Sequence, residues 1–256
     1  MILFLRNEIS IFLIAVQFLT RIPLPRNIGF TQKRLASSPR YFPLVGLAIG
    51  SIGAIAYFLS SHLFPPVIAI VISTIITCLL TGGFHEDGLA DTFDGIGGGH
   101  TKERALDIMK DSRIGTYGSL ALGLMLALKI MALSALPHLT IIIAIIAAHG
   151  LSRLSSVMVI ATSSYVRDHG TGKHTSDGIH IAGLILALLT GTFGLSLLVL
   201  FLPLASALSA LVGCLAGHIL MRAFFEKKLS GYTGDTLGAV QQSSEVGIYL
   251  ALLSCL

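Results

Sequence analysis

Residues 66–95 read PVIAIVISTIITCLLTGGFHEDGLADTFDG, an uncharged apolar run that changes abruptly into an acidic stretch. The apolar part ends at two consecutive glycines, and its length approaches the roughly 20 residues that cross the hydrocarbon of a bilayer. Four acids follow within nine positions: Glu86, Asp87, Asp91 and Asp94. Because carboxylates are costly at membrane depth and are usually functional there, this junction predicts a membrane helix that delivers the chain to an acidic site.

The rest of the chain has the same apolar character. Of its 256 residues, 54% are hydrophobic and 12% are charged, which is roughly half the charge of a soluble domain. The apolar segments cover about residues 2–19, 41–63, 66–81, 115–136, 139–162, 179–201, 204–225 and 239–256. We therefore expect an all-α, polytopic membrane helix bundle of seven to eight helices that forms one domain over residues 1–256. Arg6 and Glu8 leave open whether the first segment spans the membrane.

The basic residues indicate an orientation. Three tight turns, near residues 64–66, 137–138 and 202–203, contain no Lys or Arg, whereas fourteen of the seventeen basic residues fall in four longer loops. These fourteen are Arg21, Arg26, Lys33, Arg34, Arg40, Lys102, Arg104, Lys110, Arg113, Arg167, Lys173, Arg222, Lys227 and Lys228. The positive-inside rule places those loops in the cytoplasm, so we expect a multi-pass protein of the cell membrane with its polar motifs on the cytoplasmic face.

Several functions are disfavoured by these patterns. No basic tract resembles a nucleic-acid-binding arm, so no nucleic-acid partner is expected. The three cysteines, Cys78, Cys214 and Cys255, show no paired spacing and are interpreted as small hydrophobic side chains. A cation transporter would need polar access from both sides, which the short outer turns do not provide. An enzyme that takes its substrates from the cytosol fits better.

The acidic stretch has the spacing of a metal site if residues 85–96 are helical. At 100° per residue, Asp87, Asp91 and Asp94 lie within 60° of one another, while Glu86 points about 100° away. Carboxylate oxygens on one face suit Mg²⁺, which keeps some of its waters and bridges substrate phosphates. A solvated acidic loop is the simpler alternative. The sparing use of acids elsewhere favours a site for a metal-bound diphosphate, involving a half-helix or loop at the cytoplasmic face.

Other polar residues are candidates for the same site. Asp111 and Arg113 precede an apolar segment, where an arginine fork suits phosphate or simply forms a capping turn with its neighbours. Asp235 lies among glycines at the start of the last segment, as an ordinary helix cap also would. Arg153, four residues after His149 on an apolar helix, is a candidate to neutralise phosphate or an aspartate. Lys129 either has a partner inside the bundle or extends to the interface.

Five motifs together resemble the cobalamin synthase family, the adenosylcobinamide-GDP ribazoletransferases. They are FLTRIPLP (18–25), YFPLVGLAIG (41–50), GGFHEDGLADTFDG (82–95), MKDSRIGTYG (109–118) and GYTGDTLGA (231–239). The resemblance implies a transferase that moves the adenosylcobinamide phosphate moiety from adenosylcobinamide-GDP to α-ribazole or its 5′-phosphate. GMP would be released and Mg²⁺ would be the metal.

The resemblance also implies roles for individual residues. Mg²⁺ would be held by Asp87, Asp91 and Asp94, and the catalytic residues would be Asp94, Arg113 and Asp235. Substrate would be bound by Asp111, Arg153, Arg167, Gly88, Gly95 and Gly234. A homo-oligomer or an association with other enzymes of the cobalamin pathway is left open.

Two other enzyme classes place spaced acids at a membrane face. A CDP-alcohol phosphotransferase would carry the order D-x-x-D-G-x-x-A-R, whereas residues 87–95 read DGLADTFDG. An intramembrane prenyltransferase would carry a second acidic cluster half a chain away, and Asp235 has no acidic neighbour. Both are weaker alternatives.

Overall fold

A computed structural model describes residues 2–25, 27–167 and 179–255. Arg26 and Lys173, two of the basic residues counted above, and most of the 163–178 loop lie outside these ranges. The described chain is helical, with bounds α1 Ile2–Leu19, α2 Gln32–Ser37, α3 Phe42–Ser60, α4 Pro66–Thr81, α5 Phe84–Gly98, α6 Lys102–Ile108, α7 Thr116–Ser134, α8 His138–Thr162, α9 Ile181–Phe201, α10 Leu204–Leu229 and α11 Gly234–Leu253; a short 3₁₀ turn, Ser38–Tyr41, joins α2 to α3.

Among the described residues, five helical stretches are long and apolar enough to cross a membrane. They are Gln32–Ser60, which includes α3, and the helices α7, α8, α9 and α10. The bent pair α4 and α5 would make a sixth span if it is counted as one. The expected all-helical membrane bundle is confirmed, and the expected seven to eight helices agree roughly with this count. The helices α1 and α11 are not among these candidate spans.

The turn between α4 and α5 brings the acidic stretch to its position. Gly82 and Gly83 both have left-handed backbone angles, with φ of 71° and 68°, a region that side chains with a Cβ rarely adopt. Their N–H groups bond to the carbonyls of Leu79 and Cys78 at the end of α4. The chain then bends by 87° into α5. The two glycines therefore end a membrane helix and start the acidic helix, as the sequence predicts.

The helix α11 lies at the centre of the bundle and packs against α10, α5, α8 and α7, while α3 packs along α8. The contact with α10 is close, because a Cβ on Gly247 would come within 2.2 Å of the carbonyl oxygen of Gly213. Small residues that let helix backbones approach are the usual basis of packing in membranes. This packing places the start of α11 beside α5.

Two predicted boundaries were wrong. The helix α10 continues to Leu229 instead of ending near residue 225, so Arg222, Lys227 and Lys228 lie on a helix and not in a loop. The helix α11 begins at Gly234, five residues before the predicted 239, where Thr233 and Thr236 form a reciprocal capping box. In both places a polar sequence was interpreted as a loop because the apolar pattern had stopped.

Candidate active site

The three aspartates of α5 lie on one helix but in different environments. Asp87 is exposed, Asp91 is half-buried and Asp94 is buried with 7% of its surface exposed. The predicted helix over 85–96 is confirmed by the observed Phe84–Gly98. The stripe thus runs from solvent into the interior of the protein, and its members have different roles available to them.

Asp94 is held by the first turn of α7. Its Oδ2 accepts the backbone N–H of Gly115 at 2.6 Å, and its Oδ1 accepts that of Gly118 at 2.8 Å. A Cβ at Gly118 would lie 2.3 Å from the carboxylate, so only glycine leaves room for it. The first N–H groups of a helix lack partners within the helix, and α7 has no side-chain cap of its own. Asp94 therefore caps α7 from a neighbouring helix.

Asp235 lies at the point where α11 crosses α5. A Cβ on Gly88 would come within 2.7 Å of the Asp235 carbonyl oxygen, so this glycine of the acidic motif serves close helix packing. The Asp235 Oδ2 accepts a hydrogen bond from Arg167 Nη2 at 2.6 Å. The structure thus brings together residues of three separate motifs around the middle of α5.

The electrostatics confirm that these carboxylates face one another. Asp91 and Asp235 lie outside the five candidate spans, and burial raises the pKa of both. The charges of Asp235 and Asp87 add to burial, so that the pKa of Asp91 is raised to about 7, while Arg167 opposes the shift. Like charges in a site of low polarity destabilise one another's ionised form. The negative charge of Asp87, Asp91 and Asp235 is therefore only partly balanced by Arg167.

Over the ranges that the structure covers, no group of three or more His, Cys, Asp or Glu side chains is arranged to enclose a metal ion. Mg²⁺ is usually held by only one or two carboxylates together with waters and substrate phosphates. Asp87 and Asp91, four residues apart on α5, would supply such a pair of oxygen ligands, and a cation between them would relieve the like-charge repulsion that adds to the raised pKa of Asp91. The residues present fit Mg²⁺ of that kind.

Glu86 points away from the other acids, as the helical phase predicts. Its Oε1 accepts a hydrogen bond from Gln242 Nε2 of α11 at 2.9 Å, and its Oε2 is buried without a partner among the described residues. Glu86 therefore belongs to the interface between α5 and α11 and not to the acidic cluster.

Two adjoining cavities open beside the cluster. The first, called here the inner cavity, has a volume of about 130 Å³. Its walls are formed by Phe18, Leu19, Phe42, Phe84, His85, Arg153, Ser156, Tyr165, Arg167, Gly234, Asp235, Leu237 and Gly238. Arg153 is only 2% exposed, and its Nε has no hydrogen-bond partner among the described residues. This cavity combines aromatic rings with two arginines.

The second, called the outer cavity, has a volume of about 270 Å³ and includes Asp87. Its other walls are formed by Gln17, Phe18, Thr20, Arg21, Thr81, Gly82 and Phe84. Phe18 and Phe84 border both cavities and contact each other edge to face, with ring centroids 5.5 Å apart. Arg21 was not among the predicted site residues, although it belongs to the quoted motif FLTRIPLP.

Other predicted residues lie elsewhere. Arg113 and Asp111 bond to each other, with Nη2 and Oδ2 2.6 Å apart, and the Arg113 side chain is 86% exposed. This pairing lowers the pKa of Asp111 to about 2. Neither side chain makes a hydrogen bond or ion pair with the described acids of the cluster. Gly95 packs against α6 and the residue that follows it. A Cβ added at position 95 would lie 2.3 Å from Met109 Cγ and 2.9 Å from the carbonyl oxygen of Ala105. Gly234, by contrast, lines the inner cavity.

A buried polar network lies deeper in the bundle. Lys129 of α7 forms an ion pair with Glu245 of α11 at 2.6 Å, and the two side chains are 4% and 0% exposed. Extension of Lys129 to the interface, the alternative raised above, is thus wrong. Glu245 also accepts hydrogen bonds from Tyr249 Oη at 2.9 Å and Gln241 Nε2 at 2.6 Å. Gln241 and Tyr249 were not predicted, because uncharged polar side chains are common in helices.

Comparison with known proteins decides the family. Residues 11–253 match the cobalamin-5-phosphate synthase family. The chain belongs to that family. Among its curated relatives, the adenosylcobinamide-GDP ribazoletransferases of Shewanella piezotolerans, Shewanella pealeana and Shewanella baltica are 44%, 45% and 43% identical to it. The alignments cover 96–97% of this chain and 95–96% of each relative. No solved structure matches the chain.

Membership in the cobalamin-5-phosphate synthase family accounts for the combination of apolar helices and polar motifs in one chain. The relatives' name is that of a transferase, and the chain is a transferase of cobalamin biosynthesis. Several of its helices are apolar enough to cross a membrane, so this enzyme is a multi-pass membrane protein. The motifs that support the resemblance also supply the walls of the two cavities: Phe18 and Arg21 from the first, Phe42 from the second and Asp235 from the last.

Proposed function

We propose that the protein transfers the adenosylcobinamide phosphate moiety from adenosylcobinamide-GDP to a ribose hydroxyl of α-ribazole or its 5′-phosphate. The hydroxyl oxygen forms a bond to the cobinamide-side phosphorus. The bond between that phosphorus and the oxygen of the departing GMP breaks, and the hydroxyl proton passes to a carboxylate or to water. The observation that supports this proposal is the meeting of Asp87, Asp91 and Asp235 beside two cavities that contain arginines.

The proposed metal is Mg²⁺, held by Asp87 and Asp91, with Asp235 facing them. When bound, it would neutralise the phosphate charge that develops as the bond to GMP breaks. Asp94 is proposed as a third ligand and as the general base by the resemblance alone. In the structure both of its oxygens accept backbone N–H groups of α7, which supports a role in positioning α7 against the site.

The arginines divide between the two cavities. Arg21 lines the outer cavity together with Asp87, where its guanidinium suits the diphosphate of the donor. Arg167 lines the inner cavity and bonds to Asp235 at 2.6 Å, so it fixes this carboxylate next to the cluster. The proposed roles of Arg113, Asp111 and Gly95 rest on the resemblance alone.

We place the active site at the cytoplasmic face. The turns between α3 and α4, α7 and α8, and α9 and α10 contain no Lys or Arg. The opposite ends of these helices carry Arg40, Lys102, Arg113, Arg167 and Lys227, among others, which supports that orientation under the positive-inside rule. The substrates are then taken from the cytosol. A homo-oligomer, or an assembly with other cobalamin-pathway enzymes, stays an expectation that sedimentation of the detergent-solubilised protein tests.

The experiment is GMP release by purified, detergent-solubilised protein given both substrates and Mg²⁺. Asp87→Asn and Asp91→Asn should each lower the rate on the order of 100-fold or more, because phosphoryl transfer depends on charge neutralisation. Chelation of divalent ions should abolish release, and added Mg²⁺ should restore it.

Glu86→Gln is the matched control. It changes a neighbouring acid on the same helix, and its amide oxygen still accepts the hydrogen bond of Gln242. Most of the activity should remain. Equal losses in Glu86→Gln and Asp91→Asn would contradict the assignment of the cluster. Accumulation of divalent metal in proteoliposomes without nucleotide would instead support a transporter.

A further inference from the structure

The inner cavity has a property that the acidic cluster does not explain. Arg153 of α8 lines it while lying about nine residues, or roughly 14 Å, from the cytoplasmic end of that helix at Thr162. Its Nη1 bonds to the carbonyl oxygen and the Nδ1 of His149, at 2.9 and 3.0 Å. No described carboxylate lies within ion-pair distance of it, although the charges of Glu245 and Glu86 act on it from farther away. A buried charge without a direct partner at this depth is costly.

A ligand anion would remove that cost. The Nε of Arg153 is buried and has no hydrogen-bond partner in the described part of the chain, and the Arg153 side chain lines the inner cavity, so an anion seated against this side chain would satisfy it. Arg167 lines the same space. Phosphate, like carboxylate, matches the forked donors of a guanidinium, and phosphate is the anion that the substrates of the proposed function carry.

The rest of the wall suits a flat, apolar ring. Phe18 stacks on Phe42 with ring centroids 5.7 Å apart and an angle of 6° between the planes, and Phe84 meets Phe18 edge to face. The cavity of about 130 Å³ admits a small ring system but not a corrin macrocycle. The ribose and phosphate of a nucleotide would extend beyond this volume or require the cavity to widen. Asp235 is the one carboxylate among the lining residues, and its Oδ2 already accepts a hydrogen bond from Arg167. A guanine base, whose N–H groups are best met by a carboxylate, would have to compete with Arg167 for Asp235.

On this basis we infer that the inner cavity binds the acceptor as an aromatic nucleoside monophosphate. The benzimidazole-type ring lies against Phe18, Phe42 and Phe84, and the phosphate bonds to Arg153. This inference rests on the proposed function and adds the binding site of one of its two substrates. The donor's diphosphate remains at Asp87, Asp91 and the outer cavity, on the other side of Phe18 and Phe84.

The test measures binding without the donor and without Mg²⁺. The chain contains no tryptophan, so the fluorescence of the benzimidazole ring can be followed directly on the detergent-solubilised protein. The probes are α-ribazole 5′-phosphate and α-ribazole, with GMP as a competitor. Wild-type protein should bind the phosphorylated form at least tenfold more tightly, and GMP should compete weakly.

The variants separate the two parts of the ligand. Arg153→Met should weaken binding of α-ribazole 5′-phosphate by tenfold to a hundredfold, as expected for charge-assisted hydrogen bonds, and should change α-ribazole binding less than threefold. Arg153→Lys keeps the positive charge but loses the forked guanidinium, so its affinity for α-ribazole 5′-phosphate should lie between those of the wild-type protein and Arg153→Met. Phe84→Leu should weaken both probes equally. Arg104→Met, which removes an exposed arginine on α6, is the matched control and should change neither.

Other results would overturn the inference. Equal affinity of wild-type protein for both probes would exclude a phosphate site, and this measurement does not depend on the folding of any variant. Strong competition by GMP that is lost in Arg153→Met would assign the cavity to the donor. If GMP release from the donor stays normal while Arg153→Met leaves the acceptor's KM unchanged, the inference alone fails. Absence of GMP release in wild-type protein would count against the proposed function itself.

Discussion

The buried ion pair between Lys129 and Glu245 gives the sharpest test of how the bundle is held together. In Glu245→Gln the side chain keeps its shape but loses its charge. Lys129, 3% exposed, then has no anionic partner at 2.6 Å. Removing one partner of a buried pair costs roughly 3–5 kcal/mol. At about 1.4 kcal/mol for each factor of ten, the opened state of the protein should become on the order of 10²- to 10³-fold more populated.

The assay uses the cysteines of the chain. Cys214 is buried on α10, whereas Cys255 is exposed and Cys78 is half-buried. In a Cys78→Ala/Cys255→Ser background, a thiol reagent too bulky for the cavity of about 180 Å³ that Cys214 lines modifies this residue only when the bundle opens. If closing is faster than modification, the rate reports the population of the opened state. Glu245→Gln should therefore accelerate modification by at least two orders of magnitude.

The double variant Lys129→Met/Glu245→Gln is the decisive comparison. Replacing a complete buried ion pair by uncharged residues is often neutral or stabilising. The modification rate should return to within about tenfold of the parent protein, with the remainder coming from the altered bonds to Tyr249 and Gln241. A modification rate that changes less than threefold in Glu245→Gln would refute the reasoning. A rate in the double variant as high as in Glu245→Gln would refute it as well.

Three further predictions follow from other contacts. Asp94→Asn should lower the free energy of unfolding by roughly 1–3 kcal/mol, because the amide nitrogen of the new side chain must face one of the two backbone N–H groups that now donate to Asp94. The thiol assay described above measures this change. An unchanged modification rate would contradict the capping role of Asp94. Gly247→Val should separate α10 from α11, because its Cβ would lie 2.2 Å from the Gly213 oxygen, and size-exclusion chromatography should show loss of folded protein. Arg113→Gln should leave thermal unfolding nearly unchanged, because its pair with Asp111 is exposed; if the proposed catalytic role is correct, GMP release should fall at the same time.

The sequence correctly predicted features that depend only on the order of residues along a single helix, such as its existence and the direction of its side chains. The apolar segments became helices with small shifts, and the phase argument for α5 correctly turned Glu86 away from Asp87 and Asp91. Gly82 and Gly83 marked the start of α5 because two consecutive glycines rarely continue a helix. The motifs also predicted a role for Asp235, which lies against Gly88 of α5; its membership of the active site stays a prediction.

Contacts between distant helices were not predictable in this way. The partner of Lys129 is Glu245 on another helix, and the N–H groups that Asp94 accepts belong to the start of α7. Spacing along the chain does not say which helices cross. Arg21 was missed for a related reason, because a single arginine after an apolar segment looks like an ordinary interfacial charge. Its position in the outer cavity depends on how α1 lies against the turn at Gly82.

The charges of the described interior show why both proposed ligands belong together. Lys129 pairs directly with Glu245, and the carboxylates of Glu245 and Glu86 act on Arg153 only from beyond ion-pair distance. The cluster of Asp87, Asp91 and Asp235 has an excess of negative charge, which Arg167 offsets only in part. On the proposed function, a cation at the aspartates and an anion beside Arg153 would balance these charges. A metal-bound diphosphate beside Asp87 and a phosphorylated acceptor beside Arg153 would supply both.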